Sequence, residues 1–239
     1  MQEQAPSSAA KPKASILSRL AREKRFVILI LSIFLVMVLA RTFVVRSFIV
    51  PSGSMTQTLA VKDKILVNEI SPALKNFQRG EIVVFRDPGN WLGESNEPAQ
   101  FDPVGAVSDW GMSLFGVPTQ KQYLVKRLIG LPGDHIQCVA PCEALTINGV
   151  QVSEPYLSKE SADSSNTSFD VVVPANSIWV MGDNRVGSAD SRSHMDLPGG
   201  GFVPLKNVVG SVFAVLWPLD RMHLINDEGT KTFKGLNSK

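Results

Sequence analysis

One serine of this sequence lies in a turn and could act as a catalytic nucleophile if a neighbouring base activates it. Ser54 lies in the turn-forming segment 51–55, PSGSM. A serine hydroxyl becomes an effective nucleophile only when a neighbouring base takes its proton, and nothing in the local sequence marks His135, His194 or His223 as that base. A lysine can act instead if burial lowers its pKa, because desolvation disfavours the charged ammonium. Taken alone, segment 51–55 is simply a turn.

Lys126 is the candidate for that base. In the run 122–134, QYLVKRLIGLPGD, the two-residue period of a strand puts Lys126 on one face with Leu124 and Leu128, and Arg127 on the other. A lysine on a buried apolar face costs free energy unless it is neutral or paired. The same pattern also fits an edge strand with Lys126 in solvent, and the residues alone leave both interpretations open.

The elements that position these residues are predicted to be β-strands. Short runs of β-branched and aromatic residues recur between turn residues, at 65–67, 82–85, 123–129, 169–173, 177–181 and 208–217. The dipeptide Asn148-Gly149 between two further runs predicts a hairpin with a type I′ turn. No comparably long amphipathic helical pattern follows residue 50, so the fold class is predicted to be mostly β, with an antiparallel sheet.

The N-terminal region predicts a membrane anchor. Residues 26–40, FVILILSIFLVMVLA, are apolar apart from Ser32, and apolar residues resume after Arg41. About 20 residues cross a bilayer core, so we expect one transmembrane helix over residues 24–45. Basic residues concentrate before residue 26, which predicts a disordered cytoplasmic tail over 1–23 and an extracytoplasmic catalytic domain over 46–239. A cleavable signal peptide ending at Ala40 is the alternative, and either would export the domain.

Two regions of the exported part depart from the regular strand pattern. Residues 87–120 are rich in Pro, Gly, Asn and Asp and predict an insertion between strands. Its aromatic residues could dip into the membrane interface or cover the domain's own core. Residues 135–180 are predicted to form a smaller β subdomain.

The cysteines, the histidines and the charge distribution indicate whether the chain could hold a disulfide, a metal ion or a nucleic acid. Cys138 and Cys142 are the two cysteines, and in an exported domain they could form a small-loop disulfide or remain two buried thiols. The three histidines are scattered and offer no set of tetrahedral zinc ligands, so no metal is predicted. The net charge of +2 hides a basic N-terminus and a slightly acidic remainder without a basic stripe, which excludes nucleic acid as a partner.

Four segments, in order, resemble the motif boxes of the bacterial type I signal peptidases. They are PSGSMTQTL (51–59), RGEIVVFRDP (79–88), VKRLIGLPGD (125–134) and MGDNRVGSADSR (181–192). Any one of them could occur by chance, but four in this order behind an N-terminal apolar segment are specific. The resemblance covers roughly residues 40–217 and departs from the commonest pattern at Val186-Gly187, where Asp-Asn is frequent.

The resemblance implies a serine endopeptidase with a Ser/Lys dyad. Ser54 would attack the scissile carbonyl while neutral Lys126 takes its proton, and water would then hydrolyse the acyl-enzyme. By the same resemblance, the backbone N–H of Ser54 and the hydroxyl of Ser52 would hold the oxyanion.

The resemblance also implies supporting residues around this dyad. Ser188 would orient the lysine amine. Asp183 would pair with Arg127, and Asp190 with Arg192. None of these four charged residues would take part in bond making.

The implied substrates are the signal peptides of exported preproteins, cut after small residues in an Ala-x-Ala pattern. The lipid bilayer is a second implied partner, the export machinery is a further candidate, and no cofactor is needed. The implied location is the plasma membrane, single-pass type II, with the catalytic domain on the extracytoplasmic side.

Two other functions fit fewer features of the sequence. A self-cleaving Ser/Lys protein related to the SOS-response repressors would be soluble and cytoplasmic, and an anchored binding module or inactive homologue would not need both Ser54 and Lys126.

Overall fold

A computed structural model describes residues 24–34, 45–69, 77–93, 123–139, 142, 144–158, 168–225 and 228–237, in two units, Met1–Arg41 and Thr42–Lys239. In the first unit, residues 24–34 form helix α1, and all of them are exposed. Among the helices in these described ranges, none is both long and apolar enough to cross a membrane. The predicted tail 1–23 and residues 35–44 of the predicted transmembrane helix lie outside the described residues.

The second unit is built mainly from short strands. In chain order, those in the described part are β1 (Val45–Ile49), β2 (Lys64–Asn68), β3 (Ile82–Arg86), β4 (Tyr123–Gly130), β5 (His135–Cys138), β6 (Leu145–Ile147), β7 (Val150–Val152), β8 (Phe169–Val172), β9 (Ser177–Met181), β10 (Val203–Pro204), β11 (Val208–Trp217) and β12 (His223–Leu224). The main sheet has the order β1-β2-β11-β3-β4-β9-β10, with β12 beside β11. All its pairs are antiparallel, which confirms the predicted mostly antiparallel β fold.

A smaller, four-stranded sheet has the order β7-β6-β5-β8. Between β6 and β7, Asn148 and Gly149 have positive φ angles of 52° and 77°, as a type I′ turn requires, so the predicted hairpin is confirmed. Because β9 joins the main sheet, the smaller sheet ends at Val172, earlier than the expected limit near residue 180. The division of the chain into a catalytic domain and a subdomain stays a prediction.

Strand β4 lies between β3 and β9 within the main sheet, and apolar clusters cover both of its faces. Leu124 and Leu128 belong to one buried cluster, and Val125 to another. Lys126 shares a strand face with Leu124 and Leu128, and Arg127 lies on the opposite face with Val125. Each of the two charged residues is 3% exposed. The interpretation of an edge strand with Lys126 in solvent is therefore wrong, because two neighbouring strands shield it.

Two short helices follow the last strand, α2 (Glu228–Thr232) and α3 (Lys234–Asn237). Phe233 between them is fully buried and belongs to the apolar cluster that also contains Met181 at the end of β9. The C-terminal segment is therefore part of the folded domain.

Of the predicted insertion 87–120, the structure describes only the residues up to 93. The Asp87 carboxylate accepts the backbone N–H groups of Gly89, Trp91 and Leu92. The Trp91 ring stacks on His194, with centroids 4.4 Å apart. Trp91 thus covers the domain's own surface, whereas the other aromatic residues of the insertion lie outside the described residues.

Candidate active site

Ser54 lies on a short 3-10 helix, Gly53–Met55, which follows β1. The loop from β1 to β2 is closed at its base, where the Val50 N–H donates to the Asp63 carbonyl at 2.9 Å. Ser54 is buried, 6% exposed. The Ser52 hydroxyl oxygen lies 3.3 Å from that of Ser54, so the side chain implied for the oxyanion lies next to the predicted nucleophile.

Lys126 lies on β4, the strand that contacts this 3-10 helix. In the antiparallel pair of β4 with β9, Arg127 faces Met181. Continuing that register by one residue places Lys126 opposite Gly182.

Gly182 is the point at which the candidate residues converge. A Cβ atom built there would lie 2.6 Å from the carbonyl oxygen of Ser54 and 2.2 Å from Oγ of Ser188. Both distances are too short for any side chain, so the backbone of residue 182 touches Ser54 and Ser188 directly. The structure therefore brings Ser54, Ser188 and the strand of Lys126 together.

Burial lowers the pKa of Lys126 from 10.5 to about 8. The charges of Asp190 and Asp183 oppose this shift, while that of Arg192 adds to it. No ion pair in the described part of the chain includes Lys126. The amine is thus available as a neutral base near pH 8, because desolvation outweighs its acidic neighbours.

Ser188 carries a buried hydroxyl that has no hydrogen bond of standard geometry to any described residue, although it lies beside the Asp190 carboxylate. A buried polar atom left without a partner costs about 1–3 kcal/mol. Its place against Gly182, opposite Lys126, suits the implied role of orienting the lysine amine. That role stays a prediction.

Two buried ion pairs stabilise the segment around Gly182. Arg127 donates to both carboxylate oxygens of Asp183, at 2.7 and 2.6 Å, and Arg192 donates to both oxygens of Asp190, at 2.9 and 2.8 Å. Burial by itself would raise the pKa of Asp190, but the hydrogen bonds and charge of Arg192 outweigh it and hold that pKa below its usual value. Asp190 also accepts the N–H of Gly182 at 2.9 Å. The structure thus brings together both pairs that the resemblance implies.

Asn184 holds the serine turn in place, through contacts that the sequence does not reveal. Its backbone N–H donates to the Ser54 carbonyl at 3.0 Å, and its side-chain amide donates to the Gly53 carbonyl at 3.1 Å. Its place inside segment 181–192 is a signal, but an Asn after Gly-Asp is equally typical of an ordinary turn.

A second group that sequence reasoning missed links the loop after β7 to this site. Arg185 donates to both carboxylate oxygens of Glu154, at 2.8 and 2.5 Å, and its Nε donates to the Gly182 carbonyl at 3.1 Å. Tyr156 donates to Glu154, and its ring lies 4.0 Å from the guanidinium carbon of Arg127. No motif spacing connects residues 154 and 156 with segment 181–192, so only the fold shows this link.

The two cysteines and Val186 lie apart from these contacts. Cys138 and Cys142 are joined as a disulfide at the end of β5. Val186, where the sequence departs from the commonest family pattern, is 65% exposed, so the departure lies on the surface. Within the described ranges, no three His, Cys, Asp or Glu side chains converge to hold a metal ion.

Comparison with known proteins relates this chain to one family. Residues 23–217 match the model of the family described as Signal peptidase, peptidase S26. The chain is similar to signal peptidase I of Mycobacterium tuberculosis, with 37% identity over 204 residues that cover 77% of this chain and 69% of that protein. It is also similar to signal peptidase I U of Bacillus subtilis, with 31% identity over 212 residues that cover 84% of this chain and 94% of that protein. A crystal structure of a signal peptidase I from Enterococcus faecalis matches with a TM-score of 0.36 and 28% identity, covering 60% of this chain and 98% of that chain.

Proposed function

Because the chain belongs to the signal peptidase family, whose members are serine endopeptidases, we propose that it removes N-terminal signal peptides from exported preproteins through an acyl-enzyme formed on Ser54. Lys126 is the general base. The observation that carries this proposal is the burial of Lys126 at the position opposite Gly182, where the Ser54 carbonyl and the Ser188 hydroxyl pack.

In the first step, neutral Lys126 takes the proton of the Ser54 hydroxyl as its oxygen attacks the carbonyl carbon of the scissile bond. The Ser54 N–H and the Ser52 hydroxyl donate to the oxyanion, and such donors contribute roughly 3 kcal/mol each. The protonated lysine then gives its proton to the leaving amine. In the second step, Lys126 takes a proton from water as the water oxygen attacks the ester carbonyl on Ser54. The lysine then returns that proton to Oγ of Ser54 as the ester bond breaks and the signal-peptide carboxylate leaves.

The ion pairs limit how far the nearby carboxylates raise the pKa of Lys126. Each nearby carboxylate would raise the pKa of the amine, as Asp190 and Asp183 do. Arg192 and Arg127 pair with these two carboxylates, and the charge of Arg192 offsets part of their effect on the amine. Desolvation is then the largest influence on its pKa.

Substrate binding follows from the position of β1 at one edge of the main sheet. Four residues separate the end of β1 at Ile49 from Ser54. An extended peptide that adds as a strand to β1 would bring its backbone towards the serine turn. The first and third residues before the cut then share one face of that strand, because side chains alternate with a period of two. This arrangement supports the proposed Ala-x-Ala preference.

The site of action is the plasma membrane, with a single type II anchor over residues 24–45 and the catalytic domain on the extracytoplasmic side. A group of exposed apolar side chains in the catalytic domain supports contact with lipid; its members are Leu216, Trp217, Leu219, Met222 and Leu224, which are 44% to 71% exposed. Grouped exposed apolar side chains mark interaction surfaces, and tryptophan is enriched at membrane interfaces.

The test is cleavage of a purified preprotein that carries an Ala-x-Ala site, with the full chain in detergent. We expect the wild type to release a product beginning after the last Ala, and Ser54→Ala to release none. Ser193→Ala, which changes an exposed serine, is the matched control and should match the wild type. Cleavage by Ser54→Ala at the same bond, shown by N-terminal sequencing of the product, would refute the proposal.

A further inference from the structure

The C-terminal helices α2 and α3 lie beyond residues 23–217, the part of the chain that matches the family model. We infer that this segment is a positioning element of the active site, which holds Arg127 against Asp183. The inference rests on the proposed function, because it assigns a role in the same reaction.

The segment reaches the site through two glycines. A Cβ atom built on Gly229 would lie 2.1 Å from Nη1 of Arg127 and 2.4 Å from the carbonyl oxygen of Gly80. A Cβ atom built on Gly80, whose φ is +92°, would lie 2.2 Å from the carbonyl atoms of Gly229. The two backbones thus approach as closely as glycine allows. They do so beside the bond that Arg127 Nη1 donates to the Gly80 carbonyl at 2.7 Å.

The far end of the segment is fastened independently. The Asn237 side chain accepts the Arg79 N–H at 3.1 Å and donates to the Arg79 carbonyl at 3.2 Å. The Arg79 guanidinium donates to the Leu236 carbonyl at 2.8 Å and to both oxygens of Asp134 at 2.7 Å. With Phe233 buried in the core between these points, Gly229 has little freedom to move away from Arg127.

A short chain of contacts connects this packing to the nucleophile. Arg127 makes its bidentate pair with Asp183, and the next residue, Asn184, donates to the Ser54 carbonyl at 3.0 Å. A shift of Arg127 would therefore be passed to the loop that positions Ser54. Misplacing a catalytic group by about 1 Å can cost on the order of a hundredfold in rate.

The experiment compares Gly229→Ala with Gly235→Ala in the full chain, using cleavage of the Ala-x-Ala preprotein. The built Cβ of Gly235 meets no atom within 4 Å, so this variant makes the same substitution in the same segment without the contact. We expect Gly229→Ala to lower kcat about tenfold with KM nearly unchanged, and Gly235→Ala to match the wild type. Equal kcat for the two variants overturns the inference.

The pH dependence of kcat/KM separates positioning from a general loss of folding. Asp190, Asp183 and Arg192 are the charged groups that act on Lys126. If Arg127 moves away from Asp183, less of the carboxylate's charge is neutralised, so Asp183 raises the pKa of Lys126 further. The midpoint of the kcat/KM profile then moves to higher pH. A smaller folded fraction would lower the rate at every pH without moving the midpoint, and that result overturns the inference.

A second variant covers the case in which Gly229→Ala does not fold. Asn237→Ala removes the three side-chain hydrogen bonds to Arg79 and leaves the Gly229 contact unobstructed, so we expect a smaller fall in kcat with the midpoint shifted in the same direction. An unchanged midpoint in Asn237→Ala overturns the inference. Absence of cleavage by the wild type in the same assay would instead contradict the proposed function.

Discussion

Asn184 donates its backbone N–H to the carbonyl oxygen of Ser54 across 3.0 Å, and its side-chain amide donates to the neighbouring Gly53 carbonyl. These two bonds tie the 3-10 helix of the nucleophile to the loop after β9. Because that loop also carries Asp183 and Ser188, one piece of chain positions the serine, the ion pair and the buried hydroxyl together.

Replacing Asn184 with Ala removes the side-chain bond to Gly53 and the bond that its side-chain oxygen accepts from the exposed Gly187 N–H, and keeps the backbone bond to Ser54. A hydrogen bond of this kind contributes about 0.5–1.5 kcal/mol, so we expect kcat/KM for preprotein cleavage to fall up to roughly tenfold. Asn207→Ala is the control, since its side-chain hydrogen bonds to described residues are long, 3.4 Å each. Equal kcat/KM for the two variants would show that the side-chain bond is not needed.

Replacing Gly182 with Ala should abolish cleavage, because the new methyl group would overlap the Ser54 carbonyl and the Ser188 hydroxyl. Gly199→Ala is the control, since a Cβ at Gly199 meets nothing within 4 Å. The measurement is the initial rate of both variants at equal folded concentration, checked by circular dichroism. A folded Gly182→Ala enzyme with the wild-type rate would mean that Ser54 and Ser188 do not need their observed positions.

Replacing Asp183 with Asn leaves the Arg127 guanidinium buried without its counter-charge. Breaking a buried ion pair in this way costs about 3–5 kcal/mol, so the free energy of unfolding should fall by an amount of that order. Glu69→Gln disturbs the more exposed Arg46–Glu69 pair and should cost at most about 1 kcal/mol. Denaturant titration of both variants measures the difference, and equal losses would contradict the structural role of the Arg127–Asp183 pair.

The strands were predictable, because alternation and turn residues act locally, whereas Ser54 and Lys126 were linked as a predicted dyad only by the resemblance of their segments to the family's motif boxes. The hairpin at Asn148-Gly149 is such a case, since its turn type depends on two adjacent residues. The burial of Lys126 was not decided by its own strand, because it depends on β3 and β9 pairing on either side. The contacts of Asn184, Glu154 and Gly229 could not be predicted, because each joins segments far apart in the chain and no local residue pattern encodes which segments meet.

Replacing Lys126 with Met should stabilise the fold near neutral pH while removing activity. The pKa of Lys126 is about 8 in the folded protein, against the ordinary lysine value of 10.5 that applies to the unfolded chain. Below about pH 8 the folded protein therefore holds a buried charge, which lowers its stability by about 3 kcal/mol. Between these two pKa values the unfolded chain binds more protons, and wild-type stability rises with pH. The advantage of Lys126→Met should therefore shrink as pH approaches about 10.5. An advantage that does not change with pH would contradict the burial of a titrating amine.

The claim that a neutral Lys126 activates Ser54 is tested most directly by kcat/KM for preprotein cleavage, measured for wild type and Lys126→Ala between about pH 6 and pH 10. Cleavage by the wild type should rise with pH and reach half its maximum near the Lys126 pKa of about 8, because only the neutral amine accepts the serine proton. Lys126→Ala should be inactive throughout. Cleavage by Lys126→Ala at neutral pH, at the same bond as the wild type, would contradict the dyad.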